Sequence, residues 1–301
     1  MGVLDRAQDG VTIFLGVVIE ATPFLLLGVL VSQALALGLR SDRLLAWLPR
    51  GRLASLAALA GLGALFPVCE CGNVPVARRL VTRGVPAAGA MVFLLAAPAL
   101  NPVVAVSTYA AFRDQPSIVL YRLVLTFVVA VGVGLLLSLH PRPADLLRAR
   151  LPPAPAPTAH GAHADRLGGA RRFAAGSLGE LVEMGAVLVV GAALAALTQI
   201  LVPRSALLGI GQGPVLSVVT MMALAGALSV CSTVDAFVAL AYAGTFSDGS
   251  LVAFLVFGPM IDIKSLLLML TVFAARTVAL VALAVVEAVL LLGVAINYWG
   301  A

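Results

Sequence analysis

Apolar runs about as long as a bilayer is thick recur from one end of this chain to the other, and that recurrence limits what the chain can become. A helix needs about 20 apolar residues to cross about 30 Å of hydrocarbon at about 1.5 Å per residue. Runs of this order occupy Val11–Leu37, Ala87–Phe112, Ile118–Leu139, Leu178–Leu201, Leu251–Ala274 and Thr277–Ile296. Shorter ones lie at Leu53–Phe66, Val74–Val81, Val215–Val230 and Val234–Ala243. A transmembrane barrel would show alternating segments of about 10 residues, and none is seen. The 301 residues are 61% hydrophobic and 11% charged, with a mean hydropathy of +1.10, against about 45–50% and about 25% in soluble domains. The sequence predicts an all-α integral membrane protein whose first partner is the lipid bilayer.

The net charge of +5 does not signal nucleic acid, because the arginines gather in the short segments between apolar runs and set orientation there. The first run is longer than a signal-peptide core and is expected to remain as a helix. Three cysteines, all inside or beside apolar segments, argue against a secreted disulfide framework.

Two halves are expected, residues 1–139 and 177–301, joined by a flexible cytoplasmic linker over 140–176 that is rich in Pro, Ala, His and Arg. The halves echo each other at nearly constant offset: Glu20 and Gly28 answer Glu183 and Gly191, Cys69 answers Cys231, and Pro98 with Asn101 answers Pro259 with Asp262. Such matches point to a duplicated, inverted repeat. Basic clusters at Arg40–Arg52 and Arg78–Arg83 both favour the cytoplasm. A re-entrant hairpin over Leu53–Val81 reconciles them, with Cys69–Asn73 at its tip. The reading is therefore six spanning helices plus two broken or re-entrant hairpins, eight helical elements in all, with both termini outside. Eight plain spans are the alternative.

Re-entrant tips can present backbone and polar groups to a solute because they face a cavity and not lipid. The first tip offers Cys69, Glu70, Cys71 and Asn73, and the second offers Cys231 and Asp235. Thiolates select soft or borderline ions, so Cys69, Cys71 and Cys231 are the candidate metal or metalloid ligands. Ionisable groups in apolar segments cost roughly 2.5–3.5 kcal/mol each at a helix centre and are functional candidates. They include Asp262 and Lys264 as solute-site groups, Glu287, and Glu20 with Glu183 as a coupling pair. Asn101, between Pro98 and Pro102, interrupts the third helix of the first half as Asp262 does in the second. The histidines lie in or beside the linker, so no intramembrane base stands ready to activate a thiol and no enzyme is expected. No cofactor is expected, and no Walker-type phosphate loop is present.

The stretches FPVCECGNVPVARRLVTRGVP (Phe66–Pro86), FLLAAPALNPVV (Phe93–Val104), SVCSTVDAFVAL (Ser229–Leu240) and FGPMIDIKSLL (Phe257–Leu267) resemble the signatures of a predicted permease family. That family includes YraQ and the ArsP-like organoarsenical efflux permeases, and the CECGNVPVARRL form is most similar to its YcgR-like branch. The resemblance covers nearly the whole chain apart from the linker. It implies a multi-pass permease of the bacterial inner membrane with eight helices. It further implies trivalent arsenicals as cargo of the ArsP-like members, and zinc-responsive regulation with a small partner protein for the YcgR-like branch. The expected function is transport of a small thiol-seeking solute, a divalent metal ion or a trivalent arsenical. The rival is a membrane subunit of a metal-delivery or partner-protein complex. Self-association into a homo-oligomer is left open.

Overall fold

The computed structural model describes residues 3–38, 48–65, 70–148, 166–201 and 213–299. Among these the regular elements are helical, apart from an isolated bridge between Leu147 and Phe273. The first half contributes α1 (Val3–Gly38), α2 (Arg52–Ala64), α3 (Glu70–Thr82), α4 (Ala87–Leu100), α5 (Pro102–Ala111) and α6 (Pro116–Ser138). The second contributes α7 (Arg166–Leu201), α8 (Leu216–Leu228), α9 (Asp235–Leu240), α10 (Asp248–Met260), α11 (Ile263–Met269) and α12 (Ala275–Trp299).

Six stretches are long and apolar enough to cross a bilayer: Gln8–Ala34, Ala87–Ala111, Pro116–Ser138, Phe173–Ile200, Asp248–Met269 and Ala275–Trp299. They coincide with the six long runs read from the sequence. By contrast α2, α3 and α8 have 13 residues each, a rise of about 20 Å, and α9 has 6. None of these four can cross alone.

Two of the six spans are broken. Pro98 and Pro259 sit in the last turn of α4 and α10, where each removes a backbone donor. The chain then restarts on a capping side chain. Asn101 Oδ1 accepts from Val104 N at 2.9 Å to start α5, and Asp262 Oδ1 accepts from Ser265 N at 2.6 Å to start α11. Asn101→Ala removes the first cap and is expected to cost about 1 kcal/mol, read as a lower unfolding midpoint in detergent.

The halves run through the same order of elements with lengths of 36 and 36, 13 and 13, 13 and 6, 14 and 13, 10 and 7, and 23 and 25 residues. Three matched pairs pack against one another, α1 on α7, α4 on α10 and α6 on α12, while α3 meets α11 and α5 meets α9. Buried almost along their whole lengths, α4 and α10 form the centre, as suits helices that are apolar all round. The alanines and glycine of α4 let neighbours approach closely. At the periphery, α12 buries one stripe containing Val278, Val281, Val285 and Val289 and turns its other faces outward.

Two short described stretches fall within residues 140–176. A short 3-10 turn, Pro143–Leu146, is tied to the corner between α11 and α12 by Arg148 N to Val272 O at 3.0 Å and Ala274 N to Leu146 O at 3.1 Å. Helix α7 begins at Arg166, so residues 166–176 are helical. Extending an existing helix adds one hydrogen bond per residue without a new nucleus, and Ala, Leu and Arg favour it.

Candidate solute site

Polar side chains collect where the two halves meet. Glu70 opens α3 and is buried, a position at which a carboxylate is favoured by the exposed N–H groups of a first turn. Its Oε1 accepts from Lys264 Nζ of α11 at 3.0 Å. The same ammonium lies 3.3 Å from Asp262 Oδ2, so one cation bridges two carboxylates from opposite halves. Glu70 Oε2 is buried and has no hydrogen-bond partner among the described residues. Cys71, the next residue, is a fully buried free thiol. Asn73 completes this first turn and is also fully buried.

A second charged centre lies at the start of α9. Asp235 receives both arms of Arg122, Nη1 to Oδ1 at 2.9 Å and Nη2 to Oδ2 at 2.7 Å, the bidentate geometry that makes guanidinium–carboxylate pairs strong. Arg122 Nη1 also donates to Thr108 Oγ1 of α5 at 2.8 Å, and Nη2 to Ser232 O at 3.4 Å. Arg122 belongs to α6 and is 0% exposed. Cys231, a buried cysteine, sits in the turn before α9 and accepts from Thr233 Oγ1 at 3.5 Å. Asp235, like Glu70, is a buried carboxylate at the start of a short helix. Three carboxylates, Glu70, Asp235 and Asp262, face two cations, Arg122 and Lys264. One negative charge is left over.

A third network joins α1, α3 and α7. Glu180 accepts from Gln33 Nε2 at 2.7 Å and from Ser32 Oγ at 3.1 Å, and pairs with Arg79 at 3.5 Å. Arg78 pairs with Glu183 at 2.9 Å, the Glu183 side chain being 50% exposed. Of the five ion pairs among the described residues, four link the first half to the second.

The sequence-predicted groups are therefore distributed unevenly. Glu70, Asp262 and Lys264 meet directly. Asn101 and Asp262 each spend one oxygen on a helix cap, and Asn101 Nδ2 turns back to Pro98 O at 3.3 Å. Glu183 is engaged by Arg78, whereas Glu20, half-buried on α1, makes no hydrogen bond or ion pair among the described residues. Cys69 lies outside the described residues, which hold no group of three or more His, Cys, Asp or Glu at metal-binding spacing.

Two residues escaped the sequence reading. Arg122 stands near the start of its apolar run, where an arginine commonly reaches back to the interface. Glu180 is one turn before Glu183, and that spacing of three on a helical face was the signal available.

The family pattern ArsP_1, described as a predicted permease, matches residues 7–298. The chain is 42% identical over 279 residues to the UPF0718 protein YcgR of Bacillus subtilis, covering 93% of this chain and 94% of that protein. It is 35% identical over 264 residues to a Streptococcus mutans protein named provisionally as a subunit of a two-component membrane permease complex, covering 88% of this chain and 87% of the relative. No solved structure matches it.

Proposed function

The chain belongs to the ArsP_1 family of predicted permeases, and on that premise we propose that it carries a small thiol-seeking solute, a divalent metal ion or a trivalent arsenical, through a site between α3 and α9. As a member it is a multi-pass protein of the bacterial plasma membrane. The observation that carries the reading is the set of three carboxylates and two cations buried where the halves meet, with the buried cysteines Cys71 and Cys231 at the same helix starts. An excess negative charge in a low-dielectric interior draws in a cation or a proton. Thiolates then favour a soft or borderline species.

In this reading α2–α3 and α8–α9 are re-entrant hairpins of an inverted repeat, supported by their short helices and by the packing of matched elements on each other. Cys69, Cys71 and Cys231 supply sulfur, and Asn73, Asn101 and Asp235 line the path. Glu20 and Glu183 serve proton coupling. Flux into proteoliposomes of Zn²⁺, Cu(I), arsenite and methylarsenite is the test. Cys71→Ser is expected to cut flux of the carried species at least tenfold with insertion intact, and flux equal to wild type would defeat the thiol role.

A second reading, as one subunit of a membrane complex, draws on Glu287. It is exposed near the middle of α12, where a carboxylate facing hydrocarbon is costly and a polar group on a partner helix would satisfy it. The provisional name of the Streptococcus mutans relative points the same way. Stoichiometric co-purification of a second membrane chain, lost in Glu287→Leu, would favour this reading.

A further inference from the structure

Lys264 touches two buried carboxylates, one from each half. Its Nζ is 3.0 Å from Glu70 Oε1 and 3.3 Å from Asp262 Oδ2, and its side chain is 3% exposed. Its backbone is held in place, because Gly191 of α7 packs so closely that a β-carbon there would come within 3.1 Å of Lys264 Cα. The four-carbon stem is the part left free to rearrange. Glu70 Oε2, buried and without a hydrogen-bond partner among the described residues, is a spare acceptor on the same carboxylate.

We infer that Lys264 is a tethered counter-cation which fills the place of a divalent metal ion when the site is empty and is displaced when the ion binds. This rests on the proposed transport reading and narrows its substrate class to a divalent cation. The charges carry the argument. Two carboxylates with one ammonium hold a net charge of −1, and the same carboxylates with a divalent ion are neutral. All three together would hold +1 in a medium that stabilises charge poorly. Ammonium and metal therefore exclude one another. A neutral arsenical would leave the ammonium where it is.

The tether has two consequences. It weakens cation affinity, since each binding event must first break the contacts of Lys264 with Glu70 and Asp262. It also speeds release and return, because the emptied site is never left with two uncompensated buried carboxylates.

The test is Zn²⁺ binding by calorimetry and Zn²⁺ flux on the full chain in lipid, wild type beside Lys264→Gln. The variant is expected to bind Zn²⁺ at least tenfold more tightly and to carry it at least tenfold more slowly. Lys264→Arg, which keeps the charge, should bind with nearly wild-type affinity. In the wild-type protein, saturating Zn²⁺ should raise acylation of the Lys264 amine, read by mass spectrometry. This measurement stands even if Lys264→Gln does not fold. Zn²⁺ affinity in Lys264→Gln no greater than wild type, or a Lys264 amine no more reactive with Zn²⁺ bound, overturns the inference. If wild type carries Zn²⁺ and these results fail, only the tether is lost. If wild type neither binds nor carries Zn²⁺, the divalent-cation reading and the tether fall together.

Discussion

Arg122→Met is expected to be the most destabilising single substitution at this site, lowering stability by about 3–5 kcal/mol. Methionine fills similar space but leaves Asp235 buried with its guanidinium partners gone, and breaking one side of a buried pair costs about that much. Thr108 Oγ1 loses its donor as well. The double variant Arg122→Met/Asp235→Asn removes both charges and should recover most of the loss, because two well-packed neutral groups can replace a buried pair at little net cost. Unfolding midpoints in detergent, followed by the loss of monodisperse protein on size exclusion, distinguish these outcomes. Wild-type stability in Arg122→Met, or a double variant no better than the single, would mean that the pair does not hold α6 to α9.

Arg122 and Lys264 also show where sequence reasoning stops. The apolar runs were legible because membrane thickness sets their length, and the breaks at Asn101 and Asp262 were legible because proline and a short polar side chain mark a helix end and restart. Lys264, Asp262 and Glu70 stood out as charges in apolar surroundings. Their meeting did not, since Glu70 and Lys264 are brought together by the packing of α3 on α11, a relation that no local pattern encodes. Arg122 was hidden for a different reason. Periodicity cannot tell an arginine that reaches the interface from one that turns inward onto another helix. Asn101 and Asp262 were read for their chemistry toward a solute, and one oxygen of each turned out to serve the chain itself. Asp262 keeps its second oxygen for Lys264.

The placement of the ion pairs bears on motion. Because four of the five ion pairs among the described residues cross between the halves, rocking of one half against the other must break or exchange charged contacts. A rearrangement of that kind has discrete end states. The apolar packing of α4 on α10 supplies no such directionality. In a carrier the solute can bias the balance only through groups that differ between states, and the ion pairs of Glu70 and Asp235 cross the junction that such rocking would disturb.

Gly28→Ala is expected to cost at least tenfold in flux, together with about 1–3 kcal/mol of stability, the usual range for forced overpacking. Gly28 lies on the buried face of α1, and a β-carbon added there would collide with the carbonyl of Gly72 in the first turn of α3. The obstacle is backbone, so no side chain can rotate aside. Helix α3 must shift, and with it Glu70, Cys71 and Asn73, the three site residues on the same turn. Such a shift is expected to strain the 3.0 Å hydrogen bond between Glu70 and Lys264. Gly16→Ala is the control, since it lies on the same helix and meets nothing within 4 Å. It should be neutral or slightly stabilising, because alanine is the better helix former by about 1 kcal/mol. Flux and unfolding midpoints for the two variants, measured side by side, separate a general effect on α1 from a specific one on the site. Equal flux in Gly28→Ala and Gly16→Ala would show that the close approach of α1 to Gly72 does not set the position of the carboxylate and thiol.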